Sequence, residues 1–334
     1  MALMAAGTAL VSLSARPWQL ILLYGVVAAV GYTGSSLLPV SVHVTRWFPG
    51  ERGFVTALAA CGFSFGQLVF SQVVARLVTA LDWRATYLVL AGILGGFLAL
   101  FAWWLEDAPR ATGDLADRSA PRGGAIDAPT ASSGAGAADG GAPTLDRRTA
   151  MRTSVFWALT SALVGCGFTD FLLNTHLPAF AADLGFRPAV AANALSLWAG
   201  ANLLGILATG SLAARIGARW AMVLTFAVRA ASLFYLLSVH TPGQLYLFAF
   251  LFGATFFTTA PLSSTLVATL FGRGHQGAIF GAVNLFHHSA GALGSYAGGV
   301  AFDRAGNYRG IFLIGAVIVT GSALVSTLVR PRGR

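Results

Sequence analysis

Few side chains in this sequence are equipped for chemistry, and those few stand inside long apolar runs. Asp170 is the one acid well within such a run. Asn174 follows it by four residues and Cys166 precedes it by four, so the three share a face if the run is helical. His176 is close in sequence but turned off that face. An isolated carboxyl in apolar surroundings can exchange a proton or contact a solute; the competing reading is a structural hydrogen bond or an ion pair. Arg229 lies about ten residues into another apolar run. A guanidinium there can meet a solute anion, although a partner inside the protein, Asp170 or a backbone carbonyl, is expected. His287 and His288 are adjacent, with Asn284 a turn earlier. Neighbours on a helix point about 100° apart, so the two imidazoles cannot readily hold one metal ion. They read as cavity polarity or as interhelical hydrogen bonding.

No convergent set of nucleophile, base and metal ligands is visible, which argues against an enzyme. All 21 basic residues are Arg. Without Lys there is no phosphate loop of the Gly-Lys-Ser/Thr kind, so nucleotide-driven work by this chain is disfavoured. No metal, cofactor or catalytic residue is expected. Cys61 and Cys166 both sit in apolar runs and read as small packing residues rather than a disulfide.

The elements that must position these groups are membrane spans. The chain of 334 residues is 56% hydrophobic and 10% charged, whereas soluble domains carry about 25% charged residues. Runs such as 18–44, 53–75 and 83–105 exceed the roughly 20 residues needed to cross the hydrocarbon core. Counting runs between Gly, Pro, Arg and Asp clusters predicts a short segment at 1–13 and nine full spans, at 18–46, 53–80, 83–105, 154–180, 189–213, 219–239, 243–270, 276–301 and 308–329. Continuous apolarity of this length fits helices rather than barrel strands. The expected fold class is an all-α polytopic membrane protein. A pI near 10.5 would suit a nucleic-acid binder, but the arginines sit beside the apolar runs, where cytoplasmic charge belongs, so the bilayer is the expected partner and nucleic acid is not.

Residues 106–152 change to Ala, Gly, Asp, Arg and Pro without an aromatic residue and read as a flexible linker. It separates a helical block at 1–105 from one at 153–330. The blocks resemble each other. Gly31 and Pro39 match Gly253 and Pro261; Phe48 matches Phe271; Trp83-Arg84 matches Tyr308-Arg309; Pro17-Trp18-Gln19-Leu20 matches Pro242-Gly243-Gln244-Leu245. Ordered matches at offsets of 222 to 225 residues read as an internal parallel repeat. Met1 then aligns near Phe226, so about 70 residues of a symmetric pair, about two and a half helices at ~20 residues per span, are expected to be missing before residue 1. That accounts for the segment 1–13 better than a signal peptide cleaved near Ala15 does. With the linker inside, 14 arginines fall on the cytoplasmic side and 5 outside, the expected bias. Linker and C-terminus are therefore placed in the cytoplasm.

Residues 210–219 read G-S-L-A-A-R-I-G-A-R at a predicted cytoplasmic turn. Gly210, Leu212, Ala213, Arg215, Gly217 and Arg219 match the G-x-L-A-D-R-x-G-x-R loop of the major facilitator superfamily, which the whole chain resembles; the acidic position is Ala214 here, which puts that acid's charge-relay role in doubt. Looser patterns, Arg46-Trp47-Phe48-Pro49 before Arg52-Gly53 and Gly294 to Gly299 leading to Asp303 and Tyr308, resemble its monocarboxylate and oxalate/formate branches. The resemblance implies two six-helix bundles, the N-terminal one incomplete, with family helices three (in part) to twelve present. It implies secondary transport of a small solute, such as a monocarboxylate with protons, by alternating access in a bacterial inner membrane, by a monomer. A non-transporting remnant is the alternative, and a membrane-embedded enzyme a remote one. Tyr32, Ser35, Ser36, Thr255, Thr258, Thr259 and Ser263 fall on helices that the family uses to line its cavity. Asp170, Asn174, Arg229, Asn284, His287 and His288 are the candidates for coupling or solute contact.

Overall fold

The computed structural model of the chain describes residues 2–35, 40, 52–104, 145–272 and 274–330. Ser36, Pro39, the 46–49 segment, Arg273, Arg332, Arg334 and the 106–144 part of the expected linker lie outside these residues. No strand occurs among the described residues, and the chain falls into two compact units, Met1–Phe63 with Gln72–Ala128, and Ser64–Ser71 with Pro129–Arg334.

The first unit contains helices α1 (Ala2–Val11), α2 (Pro17–Gly34), most of α3 (Arg52–Ala80) and α4 (Trp83–Trp104). Helix α2 contains a π-helical stretch at Leu23–Ala28. Gly7 lies against the backbone of Ala28 and Gly31 against that of Met4, so α1 and α2 approach closely at positions where a Cβ would not fit. Arg84 ties the start of α4 to the turn after α1 by donating to the Ser14 carbonyl at 3.2 Å.

The second unit contains a short helix α5 (Arg147–Met151), then α6 (Ser154–Asp183), α7 (Pro188–Ile216), α8 (Ala218–Leu236), α9 (Pro242–Gly253), α10 (Thr259–Phe271), α11 (Gln276–Ala305) and α12 (Arg309–Ser326). The end of the expected linker is thus helical. Asp146 caps α5 by accepting from the Thr149 amide at 3.2 Å, and the Leu145 amide donates to the Phe271 carbonyl at 3.0 Å.

Among the described residues, seven helices are long and apolar enough to span a bilayer: α2, the 61–80 part of α3, α4, α6, α7, α8 and α12. Two of the nine expected full spans differ. Helix α11 has ample length, 30 residues, but Asn284, His287, His288 and its glycines dilute its apolarity. The run 243–270, expected as one helix, is two: α9 ends at Gly253, residues 254–258 form a turn, and α10 begins at Thr259. Pro261 has no amide proton for the Phe257 carbonyl, which weakens an α-helix through this point.

The internal repeat appears in the hydrogen bonds. The Gln19 side-chain oxygen accepts from the amides of Ala15 at 2.8 Å and Arg16 at 3.0 Å; that of Gln244 accepts from His240 at 2.8 Å and Thr241 at 3.0 Å. Pro17 and Pro242 each open the helix that follows.

The core of the second unit is aromatic, with Trp198, Phe226, Phe248, Phe252 and Phe312 fully buried. Its tightest seam joins α6 to α11. Gly167 faces the His287 carbonyl, Gly294 the Phe168 carbonyl, Gly291 the Phe171 ring and Gly298 the His176 ring, each leaving no room for a Cβ. Two histidines fasten the seam, His287 Nδ1 donating to the Leu163 carbonyl at 3.0 Å and His176 Nε2 to that of Ser295 at 2.8 Å. Gly294→Ala is expected to destabilise the protein by roughly 1–3 kcal/mol through overpacking. Gly299→Ala, where a Cβ meets nothing, is expected to be neutral or slightly stabilising. Thermal unfolding followed by size-exclusion in detergent separates the two outcomes.

Candidate functional site

Arg229, on α8, is fully buried and its guanidinium divides between two sets of partners. Nη1 donates to Asp170 Oδ1 on α6 at 2.6 Å and to Cys166 Sγ at 2.8 Å. Nη2 donates to the carbonyls of Thr255 and, at 2.9 Å, Phe256, both in the turn between α9 and α10. The Cys166 thiol also reaches Asp170 Oδ2 at 3.3 Å and Thr259 Oγ1 at 3.5 Å. Phe252 and Phe226 present rings to the guanidinium, their centroids 5.1 Å and 5.9 Å from Cζ. Asp170 is itself 5% exposed, and the pair is the one salt bridge among the described residues. Without a partner, either charge would be very costly at this depth.

The turn at 254–258 draws on a second helix as well. Asn202 of α7, fully buried, accepts from the Phe257 amide at 3.0 Å, while its own amide donates to Ser64 Oγ at 2.9 Å. Gly205 of α7 lies against the Ala254 carbonyl, and Gly253 against the backbone of Trp198, whose ring packs at 4.6 Å on Phe252 and 5.1 Å on Phe256. A backbone break inside an apolar span is tolerated when its polar groups find partners in the protein. Here a guanidinium serves the carbonyls and a carboxamide serves an amide.

A polar strip lies on the exposed side of the α6–α11 seam. Phe171, Asn174 and Thr175 of α6 and His288 of α11 are exposed, with Asn284 half-buried. Thr175 and Ser295 hydroxyls meet at 3.0 Å, and Ser295 donates to the Phe171 carbonyl at 3.2 Å. His288 stands 5.7 Å from the Phe171 ring and 5.1 Å from that of His287. Its Nδ1 donates to the Asn284 carbonyl at 2.9 Å. A carbonyl only accepts, so Nδ1 carries the proton of the neutral ring and Nε2 the lone pair.

The candidate residues therefore separate. Asp170, Arg229, Thr255 and Thr259 gather in the interior, whereas Asn174, Asn284 and His288 lie on the strip. His287 is spent on the seam. Thr258 and Ser263 are buried with their hydroxyls bonded one turn back, to Thr255 at 2.9 Å and Ala260 at 3.0 Å. In the first unit Tyr32 is exposed, and half-buried Ser35 donates to the Gly31 carbonyl at 3.0 Å. The 210–219 segment closes α7 and opens α8. Gly217 has φ +82°, a conformation that favours glycine, and its amide donates to the Ala213 carbonyl at 2.9 Å. Leu212 and Ala213 pack on the core, while exposed Gly210 and Arg215 and the Arg219 guanidinium, 4.8 Å over the Trp220 ring, occupy the turn and helix ends. No cluster of three metal-ligating side chains exists among the described residues.

Arg229 meets both of the partners expected for it, Asp170 and backbone carbonyl oxygen. Nothing in the sequence signals its bond to Cys166, its serving two consecutive carbonyls, or the role of Asn202. Gly253 and Pro261 bracket the break and were its only local signal. Asp170→Ala is expected to lower stability by roughly 3–5 kcal/mol by leaving a buried guanidinium unpaired. Asp170→Asn keeps an acceptor at Oδ1 and should lose clearly less. Thermal melting of both variants in detergent checks the difference.

Comparison with known proteins supplies the family. The family model described as Major Facilitator Superfamily matches residues 1–192 and 161–334, together the whole length. An uncharacterized MFS-type transporter of Bacillus subtilis, YcxA, is 24% identical over 311 residues, covering 91% of this chain and 70% of the relative. Monocarboxylate transporter 13 of the rat is 25% identical over 330 residues, 98% of this chain and 71% of its own. Among solved structures, a bacterial homolog of the human lysosomal transporter Spinster superposes with a TM-score of 0.70 at 14% identity, over 98% of this chain and 80% of that one. The Escherichia coli fucose:proton symporter FucP (N162A) gives 0.57 at 15% identity, over 99% and 82%. A family match along every residue, on a helical fold held in common at so low an identity, means that the chain belongs to the major facilitator superfamily of multi-pass membrane transporters, which move small solutes.

Proposed function

We propose that the chain carries a small organic anion, such as a monocarboxylate, by proton-linked alternating access, as a monomer in a bacterial inner membrane with the linker and C-terminus in the cytoplasm. The observation that carries this reading is the strip around His288. Polar and ionisable side chains on a membrane span are retained where they face a water-filled path rather than lipid. The acid and the arginine of the second unit are bound to each other and buried, whereas His288 is exposed.

Protonation at Nε2 turns that nitrogen from acceptor to donor and gives the ring a positive charge, the form that binds a carboxylate. Asn174 and Asn284 add amide donors on the same strip. A carboxylate and a proton arriving together are then held together and leave together, which links the two fluxes. The relative named a monocarboxylate transporter supports this solute class. The arginine bias of the sequence supports the orientation.

The test is uptake of labelled pyruvate into proteoliposomes. Saturable uptake that an inward acid gradient accelerates and that acetate or lactate competes away is expected. His288→Ala should lower it roughly tenfold or more, the worth of one charge-assisted hydrogen bond. Native-like uptake by that variant would remove His288 from the site, and transport of neutral solutes in place of carboxylates would overturn the solute class.

A further inference from the structure

We propose that Arg229 is a positioning residue for transport, a latch that keeps the α9–α10 span broken, and that its release lets the span close into one continuous helix. The proposal rests on the chain being a transporter but not on the identity of its solute.

The argument is a competition for acceptors. In an α-helix the carbonyls of Thr255 and Phe256 accept from the amides four residues on, those of Thr259 and Ala260. Here both carbonyls accept from Arg229 Nη2 instead. The chain through the turn makes shorter-range bonds, the Thr255 amide to the Phe252 carbonyl at 3.0 Å, Phe256 to Gly253 at 3.0 Å and Ala260 to Phe257 at 3.3 Å. The broken and the continuous forms thus satisfy the same two acceptors with different donors, one set on α8 and the other within the span itself. The exchange leaves the Thr255 and Phe256 carbonyls served in either state, as a two-state element inside a membrane protein requires. The one acceptor that gives up its donor on closing is the Phe257 carbonyl, which now accepts from the Ala260 amide and in the closed helix faces Pro261, the ordinary defect of a proline within a membrane helix.

Two further observations favour a latch over a static strut. The guanidinium is divided, Nη1 toward Asp170 and Cys166 on α6 and Nη2 toward the break. Movement of α6 relative to α8 therefore pulls on the same planar group that holds the turn. At Gly205 and Gly253 the break meets α7 backbone to backbone, with no Cβ on either glycine to key the two elements together. Asn202 holds the Phe257 amide at 3.0 Å and would hand it back to the Gly253 carbonyl as the helix closes. Arg229 is fully buried, so this role is positional and involves no contact with solute.

The test is hydrogen–deuterium exchange of the full chain in liposomes, read on peptides spanning 255–262, with no solute present. The decisive variant is Asp170→Asn combined with Arg229→Met, which removes both charges together and avoids a stranded one. In this variant the Thr259 and Ala260 amides are expected to exchange at least about tenfold more slowly than in the native chain, as the helix closes, each tenfold being about 1.4 kcal/mol of added protection. Faster or unchanged exchange at these amides overturns the proposal. Arg229→Lys is the second variant, since an ammonium can hold Asp170 but cannot fork to two carbonyls as well; it should slow the same amides, and faster or unchanged exchange there again counts against the latch. Labelled pyruvate uptake adds a kinetic readout: both variants should lose turnover roughly tenfold with KM within about twofold, and a raised KM at native turnover would make Arg229 a solute contact instead. If the native protein takes up no pyruvate, the proposed solute fails while the exchange experiment still decides the latch.

Discussion

The second unit is organised around one buried guanidinium. Arg229 brings a full positive charge to a depth where water is not at hand, and every neighbour is arranged to make that tolerable. A carboxylate at 2.6 Å balances the charge. Two carbonyls and a thiol absorb further N–H groups, and two phenylalanine rings cover the cluster. Because these partners belong to α6, α8 and the α9–α10 turn, a single side chain fixes three elements relative to one another. Removing it alone would leave a lone buried carboxylate, costly in low dielectric, and would free two carbonyls of the turn from their guanidinium donor.

The rest of the unit provides the rigidity against which that cluster works. The α6–α11 seam is built on glycines that bring backbones together, with His176 and His287 bonded across it. Between membrane helices, packing of this kind substitutes for the hydrophobic drive available in water. It also sorts the polar residues of the two helices. Those on the seam are used up in holding it, whereas beside it Asn174 and His288 are exposed and Asn284 is half-buried with its amide donating to the Phe280 carbonyl at 3.1 Å. A span can therefore be rich in polar groups and still have only a few that are available for chemistry.

Family membership and function stand at different levels. The match to the major facilitator superfamily covers every residue, and the similarity to solved transporters shows the fold. Solute, coupling and direction depend on a handful of side chains that the fold does not dictate. The loop at 210–219 illustrates the point. Its glycine with positive φ performs the turn the motif demands, yet Ala214 stands at the acidic position, so the geometry is retained without the charge.

Much of the architecture is legible in the order of the residues. A span is a property of local composition, because backbone in lipid must satisfy itself within its own segment. The apolar runs, the repeat and the loop motif therefore identify helices and family directly. Paired signals such as Pro17 with Gln19 and Pro242 with Gln244 even locate equivalent helix starts. What the sequence could not contain was the break at 254–258 and the sorting of its polar residues. Asp170 and Asn174 sit four residues apart on one predicted face, but only the first is buried, because what lies opposite each turn depends on neighbours distant in the chain. The run from 243 to 270 has the composition of one helix, and only the tertiary structure, by bringing Arg229 and Asn202 to its middle, supplied the alternative hydrogen bonds that let it be two.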